Sequence, residues 1–185
     1  MPDTWSLGLI GFPLGHSISP TLHQSAFHQA GLKGSYSLFP ISTDSDGEKD
    51  LEKLIKLLRS GELQGLNVTI PHKQRVLPLV DDLTSSAAAI GATNTLYVDT
   101  NGRLIGDNTD APGFWEDVNH LPLKDEKNAL ILGAGGAARA VVYALLTHGW
   151  NIHITDIFEE QTQSLCSHFA AQKLDSGSLQ GIEFS

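Results

Sequence analysis

Residues 128–156 read NALILGAGGAARAVVYALLTHGWNIHITD. NALIL is an apolar run of strand length, GAGGAA is a glycine-rich turn, and the Ala/Val/Leu-rich stretch after it is long enough for a helix. NIHIT then supplies a second strand that ends at Asp156. Strand, helix and strand in this order make a βαβ unit with a parallel sheet. Gly133, Gly135 and Ala138 fit the pattern G-x-G-x-x-A between the first strand and the helix. Glycines there let the backbone turn tightly and approach a pyrophosphate, which the helix N-terminus then holds. An acidic side chain about 20 residues further on bonds the ribose hydroxyls in such units, and Asp156 stands there. With strand, helix and acid all present, the stretch reads as a dinucleotide site in preference to a tight turn without a ligand. Asp156 can also cap the next helix, and the two roles are compatible. A carboxylate at this position bonds a free 2′-hydroxyl and repels a 2′-phosphate. No arginine follows in DIFEEQ, so the local chemistry favours NAD over NADP.

Upstream, strands are expected over 7–11, 36–41 and 65–70. Ser19-Pro20 marks a helix start, with Ser19 as N-cap and Leu22, Ala26, Phe27 and Ala30 as the apolar stripe before a stop at Gly31. Leu51, Leu54, Ile55 and Leu58 recur at helical spacing and predict an amphipathic helix over 48–59. A short helical segment over 85–90 precedes a hairpin at Asn101-Gly102, and a further helix is expected over 110–121. The polar break LPLKDEKN suits a domain junction. The resulting fold class is α/β: a substrate-binding and catalytic domain over 1–110, a linker helix and junction over 111–124, and a partial Rossmann-type dinucleotide-binding domain over 125–185. The chain stops at GIEFS, which reads as the start of another strand. One βαβ unit plus a fragment is half of a doubly wound domain, so the chain is expected to be incomplete at its C-terminus.

Composition narrows the function. The chain of 185 residues is 41% hydrophobic and 18% charged, which is ordinary for a globular protein. Twelve Lys+Arg against 21 Asp+Glu give a net charge of −9, a field that repels a phosphate backbone and argues against nucleic acid. The single Cys166 excludes an internal disulfide and a Cys-rich metal site, which fits a reducing, cytoplasmic setting. The opening MPDTWSLGLIGFPLG has no basic residue and is interrupted by Gly and Pro, unlike a signal peptide. The longest apolar stretch contains Arg139 and a glycine cluster, so no membrane span is expected. His16, His23 and His72 lack metal-ligand spacing, and no metal is expected.

Polar residues gather where the first-half strands end: Ser17 and Ser19 in HSISP, Asn67, Thr69 and Lys73 in NVTIPHK, Asn94 in GATNT, and Asn108 and Asp110 in GDNTD. Strand ends are the usual ligand positions in open α/β sheets. Two hydroxyls beside a helix N-terminus would make a carboxylate cradle. Taken singly, each residue has a plainer explanation as a cap, a turn residue or a surface charge.

Taken together and in this order, GFPLGHSISPTLH, NVTIPHK, GATNTL, GDNTDAPGF and GAGGAAR resemble the shikimate dehydrogenase family over nearly all of the chain. The resemblance implies that Ser17 and Ser19 clamp a substrate carboxylate. It implies that Lys73 and Asp110 form the catalytic proton-relay pair, and that Thr69 and Asn94, with Asn67 near them, bond the ring hydroxyls. Gly133, Ala134, Gly135, Gly136 and Ala137 would form the pyrophosphate loop. The implied activity is reversible NAD(P)-dependent reduction of 3-dehydroshikimate to shikimate in aromatic amino-acid biosynthesis, in a cleft between two domains, by a monomer or homodimer. NADP is the family default. Two departures stand out. TDIFEEQ replaces the Arg-bearing stretch of NADP users and resembles NAD-using relatives, some of which also oxidise quinate. The chain also lacks the later Rossmann strands, a substrate-contacting glutamine and a returning helix. The rival readings are an NAD-preferring quinate/shikimate dehydrogenase and a non-catalytic ligand-sensing module. The paired Ser17/Ser19 favours shikimate over quinate, and the presence of both Lys73 and Asp110 favours an enzyme over a sensor.

Overall fold

Strand β1 (Trp5–Gly11) carries parallel neighbours on both sides, β2 (Gly34–Pro40) and β3 (Gly65–Val68). Parallel neighbours need crossovers, and α1 (Ser19–Gln29) and α2 (Ser45–Ser60) supply them. The sheet continues through β5 (Thr95–Val98) and β6 (Leu104–Asp107) to the two-residue β4 (Asp82–Leu83), in the order β2-β1-β3-β5-β6-β4. β5 runs antiparallel to both of its neighbours. The C-terminal ends of β1, β2, β3 and β6 therefore share one sheet edge with the start of β5. The computed structural model describes residues 4–122, 127–169 and 172–173. They fall into two compact units, Met1–Asn108 and Thr109–Ser185.

In α2 local signals and burial agree. The Asp44 carboxylate accepts from the Gly47 N–H at 2.8 Å, which starts the helix three residues before the apolar periodicity predicts. Gly61, at φ 77°, ends it in the left-handed conformation that glycine adopts without steric cost. Leu51, Leu54, Ile55 and Leu58 face the sheet and pack with Ile10, Leu66, Val68 and Leu96 in the first core. The short helix α3 (Ser85–Ile90) is capped by Thr84 and stopped by Gly91 at φ 68°. The hairpin between β5 and β6 has a short loop. Gly102, at φ 79°, bonds back to the Asp99 carbonyl, and the Asp99 carboxylate accepts from the N–H groups of Asn101 and Arg103.

α1 differs from its expected form. It begins at Ser19 with Ile18 in the cap position, and no side chain caps it from there. Ser19 thus lies one residue inside the helix, and the Ser17 hydroxyl accepts from the Ser19 N–H at 3.3 Å. The predicted stripe is also rotated, since Leu22 is 60% exposed and Phe27 is the buried residue. The reason lies on β2. The Phe27 ring fills the place a side chain would take at Gly34, and His23, one turn earlier, stacks on Tyr36 with ring centroids 4.0 Å apart. Residues i and i+4 of the helix thus meet residues i and i+2 of the strand. β3 is shorter than predicted, because residues 69–72 leave the sheet in a turn closed by the His72 N–H on the Thr69 carbonyl.

Asp81 ties β4 to the rest of this unit. It accepts two bonds from Arg59, at 2.6 and 2.7 Å, and one from the Leu104 N–H at 2.8 Å. The Arg59 guanidinium, with the Leu104 amide, holds the Asp81 carboxyl down at about 2. A depressed folded-state value means the contribution is complete above the ordinary carboxylate range and is lost as pH falls towards about 2. Asp81→Asn is therefore expected to flatten the acid limb of a stability-against-pH curve between about pH 4 and pH 2, as followed by chemical denaturation.

The second unit has three parallel strands, β7 (Asn128–Leu132), β8 (Asn151–Thr155) and β9 (Gln172–Lys173), in the order β7-β8-β9. α5 (Gly136–Thr147) connects β7 to β8, and α6 (Glu159–Phe169) follows β8. This is the βαβ unit of the sequence reading, and the chain is α/β. Ala134, Val142, Leu145, Ile152, Ile154 and Leu165 form its core, with Phe114 and Trp115 of α4 (Asp110–Asn119) packed against it. α4 is thereby fastened to the second unit, and Trp115 stacks on His148 with centroids 3.4 Å apart. Part of the expected junction (123–126) and the expected strand start at GIEFS lie outside the described residues. Among the described residues no helix is long and apolar enough to cross a membrane, and no group of three or more His, Cys, Asp or Glu could hold a metal ion.

Candidate functional site

In the first unit, the sheet edge built from the ends of β1 and β3 gathers most of the polar residues singled out in the sequence. Gly11 and Thr69 are where these ends touch. The Thr69 N–H donates to the Ile10 carbonyl at 2.8 Å, and a side chain at Gly11 would collide with the Thr69 methyl group. The segment leading into HSISP leaves the same edge, with the Phe12 N–H on the Ile70 carbonyl at 2.9 Å and the Ser17 N–H on the Leu14 carbonyl at 3.0 Å. Asn94 enters from β5, its carbonyl accepting from the Val68 N–H at 2.8 Å and its N–H donating to the Asp107 carbonyl at 3.0 Å. The half-buried Lys73 is held there too, because its carbonyl accepts from the Thr93 N–H at 2.8 Å. Asn108 is buried and donates its Nδ2 to the Ala92 carbonyl at 2.9 Å.

Side-chain hydrogen bonds join these pieces. The Tyr36 hydroxyl donates to Asn67 Oδ1 at 2.9 Å. The Asn67 amide nitrogen faces Thr95 Oγ1 at 3.4 Å, and Thr95 Oγ1 donates to Asn94 Oδ1 at 2.9 Å. Desolvation by burial raises the Tyr36 phenol to about 12, with the nearby Ser19 side chain pulling the other way. Asn67 and Asn94 are thus linked through Thr95 and tied to Tyr36, and sequence patterning marks neither Tyr36 nor Thr95. Tyr36 lies on an alternating strand and reads as core, and Thr95 reads as an ordinary strand residue.

His72 is the other residue that sequence alone does not single out. It is 1% exposed, and its Nε2–H donates to the Ile41 carbonyl at 2.7 Å. With the Thr69–His72 turn on one side and the Val76 N–H on its own carbonyl at 3.1 Å on the other, His72 anchors the segment that presents Lys73.

The remaining sequence-marked residues belong to the second unit. Asp110 is the first residue of α4, after Thr109 in the cap position, where an acidic side chain complements the helix dipole. The glycine-rich turn runs from Gly133, at φ 104°, to Gly135 in the cap position of α5, with no side chain capping that helix start. Ala134 and Gly136–Ala137 complete it. Asp156, at the end of β8, accepts from the Ala134 N–H at 2.7 Å through one oxygen and from the Phe158 N–H at 2.8 Å through the other. The Phe158 amide, then the Ala134 amide, hold its carboxyl below the usual carboxylate range. An uncapped N-terminus on a helix of 12 residues, reached through a positive-φ glycine, fits a pyrophosphate, and a carboxylate at the next strand end fits a ribose.

Comparison with known proteins places this geometry. Residues 9–96 match the family model described as the shikimate dehydrogenase substrate binding domain. A shikimate dehydrogenase (NADP(+)) from Dictyoglomus thermophilum is 43% identical over 156 residues, covering 84% of this chain and 54% of that protein. The structure of shikimate 5-dehydrogenase from Thermus thermophilus in complex with NADP(H) and shikimate superposes with a TM-score of 0.79 at 34% identity, over 92% of this chain and 63% of that one. Quinate dehydrogenase from Corynebacterium glutamicum in complex with NAD gives a TM-score of 0.83 at 32% identity, over 96% of this chain and 66% of that one. The chain thus spans between about half and two thirds of the length of these relatives. With the ordered polar edge of the first unit and the glycine-rich βαβ unit of the second, these matches show that the chain belongs to the shikimate dehydrogenase family.

Proposed function

We propose that the protein is a shikimate dehydrogenase that interconverts 3-dehydroshikimate and shikimate with a nicotinamide cofactor. The observation that carries this reading is the hydrogen-bonded cluster at one sheet edge, where Tyr36, Asn67, Thr95 and Asn94 are joined in series and Lys73 is tied beside them. Ser17 and Ser19, at the start of α1, offer hydroxyls and a positive helix end to the substrate carboxylate. Asn67, Thr69 and Asn94 offer donors and acceptors to ring hydroxyls. Lys73 gives a proton to the ketone oxygen on reduction and takes it from the hydroxyl on oxidation, with Asp110 as its relay partner. As charge builds on that oxygen, the lysine stabilises it. The nicotinamide cofactor, when bound, supplies or accepts the hydride. Gly133, Ala134, Gly135, Gly136 and Ala137 would hold its pyrophosphate, and Asp156 its adenosine ribose.

Asp156 supports NAD as the preferred cofactor. Its carboxylate is followed by Glu159 and Glu160, and no Lys or Arg lies between Asp156 and Phe169, so this segment offers a 2′-phosphate negative charge and no basic side chain. The relatives whose names specify NADP(+) point the other way, and the quinate dehydrogenase complex with NAD points this way. The deciding measurement is kcat/KM of the full-length protein for shikimate and quinate, each with NAD and NADP. Shikimate with NAD is expected to be the best pair. Equal or better turnover of quinate would make the protein a quinate dehydrogenase, and binding of shikimate without any turnover would make it a sensor.

A further inference from the structure

Tyr36 is stacked on His23 of α1 and hydrogen-bonded to the residues proposed for the ring hydroxyls. Its single hydroxyl proton is committed to Asn67 Oδ1 at 2.9 Å. That bond sets the Asn67 carboxamide with its oxygen towards Tyr36 and its nitrogen towards Thr95 Oγ1 at 3.4 Å and the Asn94 carbonyl at 3.5 Å. A hydroxyl that accepts from Asn67 turns its own proton elsewhere, and Thr95 donates to Asn94 Oδ1 at 2.9 Å. Each donor therefore fixes the direction of the next, and the Asn94 carboxamide is oriented at the end of the series. The Tyr36 ring cannot swing to trade Asn67 for another partner, because it lies against the His23 ring at a centroid distance of 4.0 Å and an interplanar angle of 9°.

We propose that Tyr36 is a positioning residue that sets the donor and acceptor polarity of the substrate site, orienting Asn67, Thr95 and Asn94 in series. The proposal rests on the shikimate dehydrogenase reading given above. Its consequence is that substrate hydroxyls meet amide groups already turned the right way, with no ordering cost on binding. Replacing the phenol by a phenyl ring keeps the stack on His23 and the strand, and removes the donor that orients the Asn67 carboxamide at the head of the series.

The test is a thermodynamic cycle on the full-length protein, with shikimate as the probe and isothermal titration as the readout. Tyr36→Phe is expected to weaken shikimate binding about tenfold, the cost of misaligning a buried polar group, while the thermal midpoint changes little. In an Asn67→Ala background, or Asn67→Ser if that folds better, the same change is expected to cost less than about twofold, because the residue it acts through is gone. A purely structural role would move the midpoint and leave the two effects additive. Wild-type affinity in Tyr36→Phe, or full additivity in the double variant, overturns the proposal. A wild-type protein that does not bind shikimate overturns the functional reading and the proposal with it, and that result is visible before any substitution is made.

Discussion

Lys73→Ala is expected to lower kcat for shikimate oxidation by about 10²–10⁴-fold, the usual contribution of a positioned general acid–base group, while KM changes little. The argument starts from where the backbone leaves this residue. Lys73 follows a turn closed on Thr69, its carbonyl is held by the Thr93 N–H, and it is half-buried at the edge that carries Asn67, Thr69 and Asn94. Steady-state rates followed through nicotinamide absorbance, together with shikimate affinity by titration, separate the two parameters. Near-normal turnover in Lys73→Ala would remove the lysine from the chemistry, and a large loss of affinity with kcat unchanged would make it a binding residue.

The second large effect is expected at His72. His72→Ala removes a fully buried ring and leaves the Ile41 carbonyl without its donor. The cavity and the unpaired carbonyl together are expected to cost about 2–4 kcal/mol of stability. Turnover should fall as well, because the same ring anchors the segment presenting Lys73. His72→Phe divides the two contributions, since it restores volume and leaves the carbonyl unpaired, and it is expected to recover roughly half of the loss in urea denaturation. Full stability in His72→Ala would mean that the segment is held by its backbone turns alone.

The sequence was most legible where structure depends on neighbours along the chain. The leucine spacing of α2 and the glycine-rich βαβ unit both follow from local chemistry, and the structure carries each of them. The rotation of α1 could not be read this way. It depends on a missing side chain at Gly34 and an aromatic partner at Tyr36, both on another element. β4 was equally hidden, because a two-residue strand exists only through its pairing with β6. For the site, residues at strand ends stood out as candidates. Tyr36 and His72 did not, because a half-buried tyrosine on a strand and a histidine after a proline look ordinary until their partners across the fold are known.

The two-point seating of α1 on β2 has a consequence for how the helix tolerates change. His23 and Phe27 fasten it, and Leu22, Ser25, Ala26 and His28 are exposed. Substitutions along α1 should therefore be tolerated with a four-residue rhythm, harsh at positions 23 and 27 and permissive between them. That makes the exposed Ser25 a suitable attachment point for a fluorescent label: it lies on the same helix as Ser19, and labelling it gives up only an exposed hydroxyl bond to the Thr21 carbonyl.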